Sequence, residues 1–195
     1  MSVEPMSKIL LERNVSVSPK EIRLGQPAYA LFRDIAKNHQ PLPYISEFKA
    51  LGYVTPKALI ITCVDPRNVP EKYLGLGATD ASVIKNVCGH VGLAMNSILA
   101  LDHLLKFEEL MIIHHTDCGA LLFTDADVRA TVQARVPGNN SIDSMEFGGI
   151  TEVAQSVKDD LAVLGKSSLI RKELKERASG YVFDIKTGLL TAVKS

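Results

Sequence analysis

The sequence predicts an α/β fold in which a mainly parallel central β-sheet is flanked by helices. Two apolar runs, at 57–64 and 109–114, have the pattern of strands that are buried on both faces. Segments with the apolar spacing of amphipathic helices separate the strand candidates along the chain. An alternation of strands and helices is typical of a parallel sheet that carries helices on its faces.

The individual elements follow from local patterns. Residues 1–40 form a predicted N-terminal arm, in which a helix at 28–37 can begin after Pro27 and end before Pro41. The elements predicted after this arm are strands at 57–64 and 81–84, a helix at 93–107, a strand at 109–114, helices at 125–135 and 151–164, and a terminal strand pair at 180–185 and 189–193.

Length and composition favour one ordinary globular domain over residues 1–195. The 22 basic and 22 acidic residues balance, which gives no indication of binding to nucleic acid or to an anionic membrane surface. No apolar stretch approaches the roughly 18 residues of a membrane span, and the first residues lack the apolar core of a signal peptide. Three cysteines do not form a disulfide framework, so we expect a reducing, cytoplasmic location.

The candidate metal ligands lie where two of the buried strands are predicted to end. Cys63 belongs to the run at 57–64, and His115 and Cys118 follow the run at 109–114. Open α/β sheets place their functional sites at the carboxyl ends of such strands. Two thiolates and one imidazole suit Zn²⁺, and three protein ligands leave a fourth position open for water, as in catalytic zinc sites.

Taken singly, these residues have simpler interpretations. A lone cysteine is most often a small buried apolar residue, and a lone histidine beside a strand is most often part of the core or the surface. However, His115 and Cys118 lie three positions apart at a strand-to-helix turn, where both side chains can converge on one ion. Combined with the pattern Cys63-x-Asp65-x-Arg67 at an equivalent strand end, this spacing is specific.

Asp65 and Arg67 are the predicted catalytic residues. Two thiolates leave a divalent zinc formally neutral, so such a site acidifies its water less than an all-histidine site does. Asp65 can accept a hydrogen bond from that water, and Arg67 can keep Asp65 ionised and in place, because a guanidinium lowers the pKa of a neighbouring carboxyl group. The alternative interpretation is a surface ion pair worth less than about 1 kcal/mol.

Other polar residues near the site are weaker candidates. Asp117 is predicted to cap the helix that follows it. On a strand, His114 would point away from His115, so we do not expect it to bind the metal. Cys88 either lines the substrate pocket, which we favour, or is an inert buried thiol. His90 either transfers protons at the mouth of the site or is a solvated loop histidine, which is the more common case.

The chain resembles the β-class carbonic anhydrases over most of its length. The resemblance rests on the motif Cys63-x-Asp65-x-Arg67, on the segment HHTDCGALLFTDADVRA that starts at His114, and on the closing segment GYVFDIKTGLL. The second segment is especially similar to a short-chain branch of that family. This branch contains carbonic anhydrases and also enzymes that hydrolyse carbonyl sulfide or carbon disulfide.

The resemblance implies a parallel-sheet fold with Zn²⁺ on Cys63, His115 and Cys118, and with the Asp–Arg dyad beside it. It also implies a homodimer or higher homo-oligomer, in which N-terminal helices embrace the partner and the active sites lie near the subunit interface. The arm at 1–40 suits that role.

Two departures from the family pattern bear on substrate preference. The family commonly has Arg-Asn-Ala-Gly in the loop before the long helix, whereas this chain has Lys-Asn-Val-Cys from position 85. Val87 and Cys88 are larger than their counterparts and are predicted, together with Gly119, to line the substrate pocket. Pro66 replaces the usual serine of the first motif and stiffens that turn. Neither departure removes a metal ligand.

The predicted function is zinc-dependent hydration of a small linear heterocumulene, first of all of carbon dioxide to bicarbonate. The alternative within the family is a carbonyl sulfide hydrolase that releases hydrogen sulfide and carbon dioxide. A different class is a metal-free hydrolase with Cys118 as the nucleophile, assisted by His115 and Asp65. A further class is a non-catalytic dimer that zinc stabilises.

Overall fold

The computed structural model describes residues 44–52, 54–77 and 79–194. The predicted N-terminal arm at 1–40, with its helix at 28–37, lies outside the described residues and stays a prediction. No helix within the described ranges is long and apolar enough to cross a membrane.

The described residues divide into two compact units, with the boundary between Thr55 and Pro56. The described part of the smaller unit contains a short 3-10 helix, Ile45–Glu47, where the backbone amide of Tyr44 donates a 2.8 Å hydrogen bond to the Glu47 carboxylate. The larger unit contains the sheet, its helices and the predicted site residues. The single domain expected over 1–195 stays a prediction.

The strands are Ala58–Cys63 (β1), Ala81–Asn86 (β2), Glu109–His115 (β3), Ala178–Phe183 (β4) and Leu190–Val193 (β5). In the described part of the larger unit they form one sheet in the order β2-β1-β3-β4-β5. The first four strands run parallel, and β5 pairs antiparallel with β4. The predicted mainly parallel sheet and its terminal strand pair are therefore confirmed.

The helices between the strands are Pro70–Tyr73 (α1), Val91–Leu105 (α2), Asp125–Arg135 (α3), Val153–Lys166 (α4) and Lys172–Glu176 (α5). The sequence predicts α3 with these bounds, and it predicts α2 and α4 displaced by two residues. It misses α1 and α5, because a helix of four or five residues is too short to show an apolar period.

The sheet has an apolar core on each face, because successive residues of a strand point to opposite faces. On one face, Leu59 and Ile61 of β1 pack in a cluster with Ile98 of α2 and Val157 of α4. On the other face, Ile60 packs in a cluster with residues of α1 and β4. Every residue of β1 and β3 is buried, which explains why both segments are continuous apolar runs in the sequence.

The register between β1 and β3 places two predicted ligands side by side. Thr62 pairs with Ile113, so the carboxyl ends of the two strands, with Cys63 and His115, are neighbours. The Thr62 hydroxyl donates a 2.6 Å hydrogen bond to the carbonyl of Ile113. The side-chain amide of Asn68 donates to the Thr62 hydroxyl at 2.7 Å and to the Cys63 carbonyl at 3.0 Å. These bonds fix the loop after β1 against the end of the sheet.

The close approach of Gly89 to β1 generates a stability prediction. Gly89 has φ +97°, and a Cβ there would lie 2.7 Å from the Thr62 carbonyl carbon. We expect Gly89→Ala to lower the free energy of unfolding by about 2 kcal/mol or more, because buried sheet backbone cannot yield. The matched control is Gly165→Ala in α4, where a Cβ meets nothing within 4 Å. It should raise that free energy by up to about 1 kcal/mol. Urea denaturation measures both, and equal effects would contradict the prediction.

Candidate metal centre

Three side chains with soft or nitrogen donor atoms converge at the carboxyl ends of β1 and β3. Cys63 ends β1, His115 ends β3, and Cys118 lies in the loop that follows β3. The two Sγ atoms are 3.8 Å apart, and the three potential ligand atoms lie within 4.8 Å of one another. All three residues are buried. The structure therefore brings together the three residues that the sequence predicts as zinc ligands.

The orientation of His115 fits a metal ion. Its Nδ1 lies 2.9 Å from the carbonyl oxygen of Thr116, which can only accept, so Nδ1 carries the proton and donates it. Nε2 then presents a bare lone pair. It is buried and has no hydrogen-bond partner in the described part of the chain. A buried polar atom left unpaired costs about 1–3 kcal/mol, and a metal ion shared with the two thiolates would offset that cost.

The thiols at this site are protonated and not preformed nucleophiles. The hydrogen bond with Cys118, followed by burial, raises the pKa of Cys63 to about 12. The pKa of Cys118 is also raised: the hydrogen bond with Cys63 lowers it, but the hydrogen bond with Cys88 and burial outweigh that effect. Thiols of this kind bind a divalent cation by releasing their protons. Such donors match Zn²⁺, which favours thiolate and imidazole ligands.

Asp65 lies beside the three ligands and is held by Arg67. The Arg67 backbone amide and Nε donate to Asp65 Oδ1 at 2.8 and 3.0 Å, and Nη2 donates to Oδ2 at 2.8 Å. These hydrogen bonds lower the pKa of Asp65 to about 2, so the carboxylate is ionised. Asp65 Oδ2 is 3.9 Å from Nε2 of His115. The Asp65 carboxylate therefore lies beside the ligand cluster while it is paired with Arg67.

Asp117 is the second anchor of Arg67, and its predicted role as a helix cap is wrong. Its carboxylate accepts a 2.6 Å hydrogen bond from Arg67 Nη1, and its carbonyl accepts one of 2.8 Å from Nη2. Asp117 has φ +56°, and the following 3-10 helix, Gly119–Leu122, has Cys118 at its N-cap position. In the sequence, the position of Asp117 between two predicted ligands was the only indication of a role at the site. The contact with Arg67 could not be predicted, because Arg67 lies 50 residues away.

The three predicted pocket residues have different surroundings. Val87 is exposed to 37%, and a Cβ on Gly119 would meet nothing within 4 Å, so both border open space. Cys88, in contrast, is fully buried and packs in a cluster with Cys63 and Cys118. It has φ +61°, a left-handed conformation that costs a residue other than glycine about 1–2 kcal/mol. Cys88 therefore lies behind the ligands and not on an open pocket wall.

A second group of potential ligands lies on the far side of Cys88. Asp160 of α4 accepts a 2.8 Å hydrogen bond from Nδ1 of His90, and the same carboxylate oxygen lies 3.2 Å from Nε2 of His114. The backbone amide of Val91 donates to the other carboxylate oxygen at 2.9 Å. The second ring nitrogen of His90 lies 3.3 Å from the carbonyl of Gly148. His90 is thus half-buried and fully hydrogen-bonded, so the expectation of a solvated loop histidine is wrong.

Hydrogen bonding separates the two groups of ligands. Both nitrogens of His90 and of His114 have partners, and both oxygens of Asp160 are occupied. Among the described residues, Nε2 of His115, in contrast, has no hydrogen-bond partner and lies beside two thiols. The group around Asp160 is closed by its own hydrogen bonds, and the group around His115 is the metal centre that the geometry favours.

Comparison with known proteins agrees with this geometry. The sequence model described as carbonic anhydrase matches residues 58–190, the stretch that contains all of the predicted site residues. The chain belongs to the β-class carbonic anhydrase family. The family includes a branch with carbon disulfide hydrolases, to which this chain is also similar, so the predicted family is confirmed.

Three relatives show the extent of the similarity. Beta-carbonic anhydrase 1 of Mycobacterium tuberculosis is 31% identical over 153 residues, which cover 77% of this chain and 91% of that protein. The structure of a carbonic anhydrase from Glaciozyma antarctica superimposes with a TM-score of 0.67 at 30% identity, over 88% of this chain and 97% of that one. A carbon disulfide hydrolase of Saccharolobus solfataricus is 36% identical over 70 residues, or 35% of this chain and 34% of that protein.

The hydrogen bonds of His90 predict that its contribution to the free energy of unfolding depends on pH. Burial lowers the pKa of His90, but the hydrogen bond to Asp160 outweighs it, so the pKa lies above its usual 6.5. A raised pKa adds stability that is complete below the unfolded value of 6.5 and is lost as the pH rises through the folded value. We expect His90→Gln to cost more free energy of unfolding at about pH 5.5 than at about pH 8.5. Urea denaturation at both pH values measures this, and an equal or larger cost at the higher pH would contradict it.

The ligand assignment predicts that Cys118 is needed for metal binding and that Cys88 is not. Cys118→Ser should lower the affinity for Zn²⁺ by about 100-fold or more, because it removes a thiolate ligand and not an outer-shell contact. Cys88→Ser is the matched control, since Cys88 is equally buried but is not one of the three converging ligands. It should bind zinc stoichiometrically. Competition with a chelator measures both, and an unchanged affinity of Cys118→Ser would overturn the ligand assignment.

Proposed function

We propose that the chain is a zinc enzyme that hydrates a small linear heterocumulene, with carbon dioxide as its main substrate and bicarbonate as the product. The observation that carries this proposal is the convergence of Cys63, His115 and Cys118 beside the ionised Asp65. When bound there, zinc supplies a Lewis acid and lowers the pKa of a water molecule at its open position. Membership of the β-class carbonic anhydrase family supports the same reaction.

In this proposal Asp65 orients the attacking water. Its carboxylate stays ionised at neutral pH and can accept a hydrogen bond from the water. Three N–H groups of Arg67 hold Asp65, so it does not turn to occupy the open metal position. Arg67 is held in turn by Asp117, which fixes the guanidinium from its other side. The role of Arg67 is therefore to position Asp65.

In this proposal the substrate occupies the space beside the ligand cluster, next to Gly119 and Val87. A Cβ on Gly119 would meet nothing within 4 Å, and Val87 contributes an apolar, partly exposed side chain. Carbon dioxide and carbonyl sulfide are both small, linear and weakly polar, so both suit such a space. The larger Val87, where the family commonly has alanine, supports carbonyl sulfide as the alternative substrate. Similarity to proteins named carbon disulfide hydrolase supports it as well.

The surroundings of the thiols argue against a metal-free cysteine nucleophile. Reactive cysteines have a lowered pKa and are accessible to substrate. Here Cys118 is only 3% exposed and its pKa is raised, as is that of Cys63. A purely structural zinc site is also disfavoured, because it would not need an ionised Asp65 held beside an open ligand position.

We further propose that the enzyme is a homodimer or higher homo-oligomer and that it is cytoplasmic. Family membership and the predicted arm at 1–40 support the first proposal. The balanced charge and the absence of a disulfide pattern in the sequence support the second.

The first test of this function is the variant Asp65→Ala. It should bind zinc as the wild type does but lose about 100-fold or more of the turnover rate, because the water loses its orienting acceptor. The matched control is Asp143→Ala, which removes an exposed carboxylate that accepts a hydrogen bond from Gln133. It should keep full activity. Stopped-flow hydration of carbon dioxide measures the rate, and full activity in Asp65→Ala would remove Asp65 from the mechanism.

A side-by-side assay of the zinc-loaded protein tests the substrate. It compares proton release during carbon dioxide hydration with hydrogen sulfide release from carbonyl sulfide, at matched substrate concentrations. The proposal predicts that the ratio of kcat to KM is higher for carbon dioxide. A higher value for carbonyl sulfide would make the protein a carbonyl sulfide hydrolase, whereas turnover of neither would contradict the proposed function.

A further inference from the structure

The side chain of His90 joins three segments that are far apart in the sequence. His90 lies at the N-cap position of α2, its Nδ1 is 2.8 Å from the carboxylate of Asp160 in α4, and its Nε2 is 3.3 Å from the carbonyl oxygen of Gly148. Gly148 belongs to the segment before α4, which we call the 146–150 loop. A Cβ on Gly148 would lie 2.8 Å from Cδ2 of His90, so the backbone of this loop rests directly on the ring.

Both partners of His90 can only accept hydrogen bonds, since one is a carboxylate and the other a backbone carbonyl. A neutral imidazole carries one N–H and can donate to one of them, whereas an imidazolium donates to both. His114 differs, because its Nε2 is 3.3 Å from the carbonyl of Gly89 and its Nδ1 is 2.7 Å from the hydroxyl of Ser156, which can donate or accept. A neutral ring can therefore satisfy both contacts of His114, but only a cation satisfies both contacts of His90.

The charges that face His90 from the neighbouring elements favour this cation. Burial opposes the ionisation of Asp160, but its contacts with His114 and His90 outweigh burial and lower its pKa. Asp125 of α3 adds a negative charge that raises the pKa of His90, and the Glu146 carboxylate lies near the first turn of α2. The ring of His114 packs edge-on against that of His90, with 5.5 Å between the centroids.

The 146–150 loop extends from His90 to the metal centre. Ile150 packs against the buried cluster that contains both ligand cysteines, and its backbone amide donates a 3.0 Å hydrogen bond to the carbonyl of Ala120. The loop also touches Val87, because a Cβ on Gly148 would lie 3.2 Å from Val87 Cγ1. A displacement of this loop would therefore be felt beside the ligands and beside the proposed substrate space.

We propose that His90 is a positioning residue that, as an imidazolium, ties the 146–150 loop to Asp160 and so holds Ile150 against the ligand cluster. When the ring loses one proton, Nδ1 keeps its hydrogen bond to Asp160, and a bare Nε2 then faces the carbonyl of Gly148. Two lone pairs repel, so the loop is released from the ring. The tie itself is independent of the proposed function, and only its effect on the substrate rests on that function.

Hydrogen exchange in the zinc-loaded protein, followed by NMR, tests the tie without reference to activity. Three amides report on the loop: those of Phe147 and Gly149 donate to the Asp125 carboxylate at 2.9 and 3.0 Å, and that of Ile150 donates to Ala120. Their protection factors, corrected for the intrinsic exchange rate, should fall by about 10-fold as the pH rises. The midpoint of this fall should coincide with the midpoint measured on the His90 ring itself and should lie above 6.5.

Two controls separate this effect from a general response to pH. His90→Gln has no titrating ring at this position, so the protection of the three loop amides should stay level over the same pH range. The amide of Lys186, which donates to the Asp184 carboxylate at 2.8 Å, should be unaffected in both proteins. Constant loop protection while the His90 ring titrates would overturn the proposal, and so would an equal fall in His90→Gln.

Steady-state hydration of carbon dioxide shows whether the tie serves the site. At about pH 6.5, His90→Gln should raise KM by about 5-fold and change kcat by less than about twofold, because the loop moves while Asp65 and Arg67 stay in place. An unchanged KM would overturn the positioning role of His90. A wild-type protein that binds zinc but hydrates no carbon dioxide would instead contradict the proposed function, and the exchange measurement would still decide whether the tie exists.

Discussion

The bare nitrogen of His115, aimed at two buried thiols, is the feature on which the candidate site depends. The ring is fixed because its other nitrogen donates to the carbonyl of Thr116, a backbone group that cannot donate back. The Thr116 amide is itself bound to the carbonyl of Phe183 in the neighbouring strand. The sheet thus determines which imidazole nitrogen keeps its lone pair. A cation bound between this nitrogen and the sulfurs of Cys63 and Cys118 would use that lone pair.

Hydrogen bonds and ion pairs connect the elements that surround His115. β1 and β3 are locked in register, so their carboxyl ends deliver a thiol and an imidazole together. Arg67 spans Asp65 and Asp117 and joins the two loops that follow these strands. Behind the ligands, Asp160 joins α4 to the loop before α2 through His90. Hydrogen bonds and ion pairs between separate loops therefore hold the supports of the site in place.

Much of the fold and the ligand set could be predicted because the signals are local. A strand buried on both faces is a continuous apolar run, and β1 and β3 have that pattern. The ligands follow those runs directly. The partner of Arg67 across 50 residues and the bond between His90 and Asp160 across 70 could not be predicted, because they depend on how separate loops meet. The depth of Cys88 was missed for the same reason.

X-ray absorption spectroscopy at the zinc edge of the zinc-loaded protein would identify the ligands of the metal. We expect two sulfur ligands at about 2.3 Å and two nitrogen or oxygen ligands at about 2.0–2.1 Å, one of them exchangeable. That set corresponds to Cys63, His115, Cys118 and an open position. Three sulfur ligands would mean that Cys88 also binds the metal, which would fill the fourth position and contradict an open catalytic site. Zinc bound without sulfur would contradict it equally.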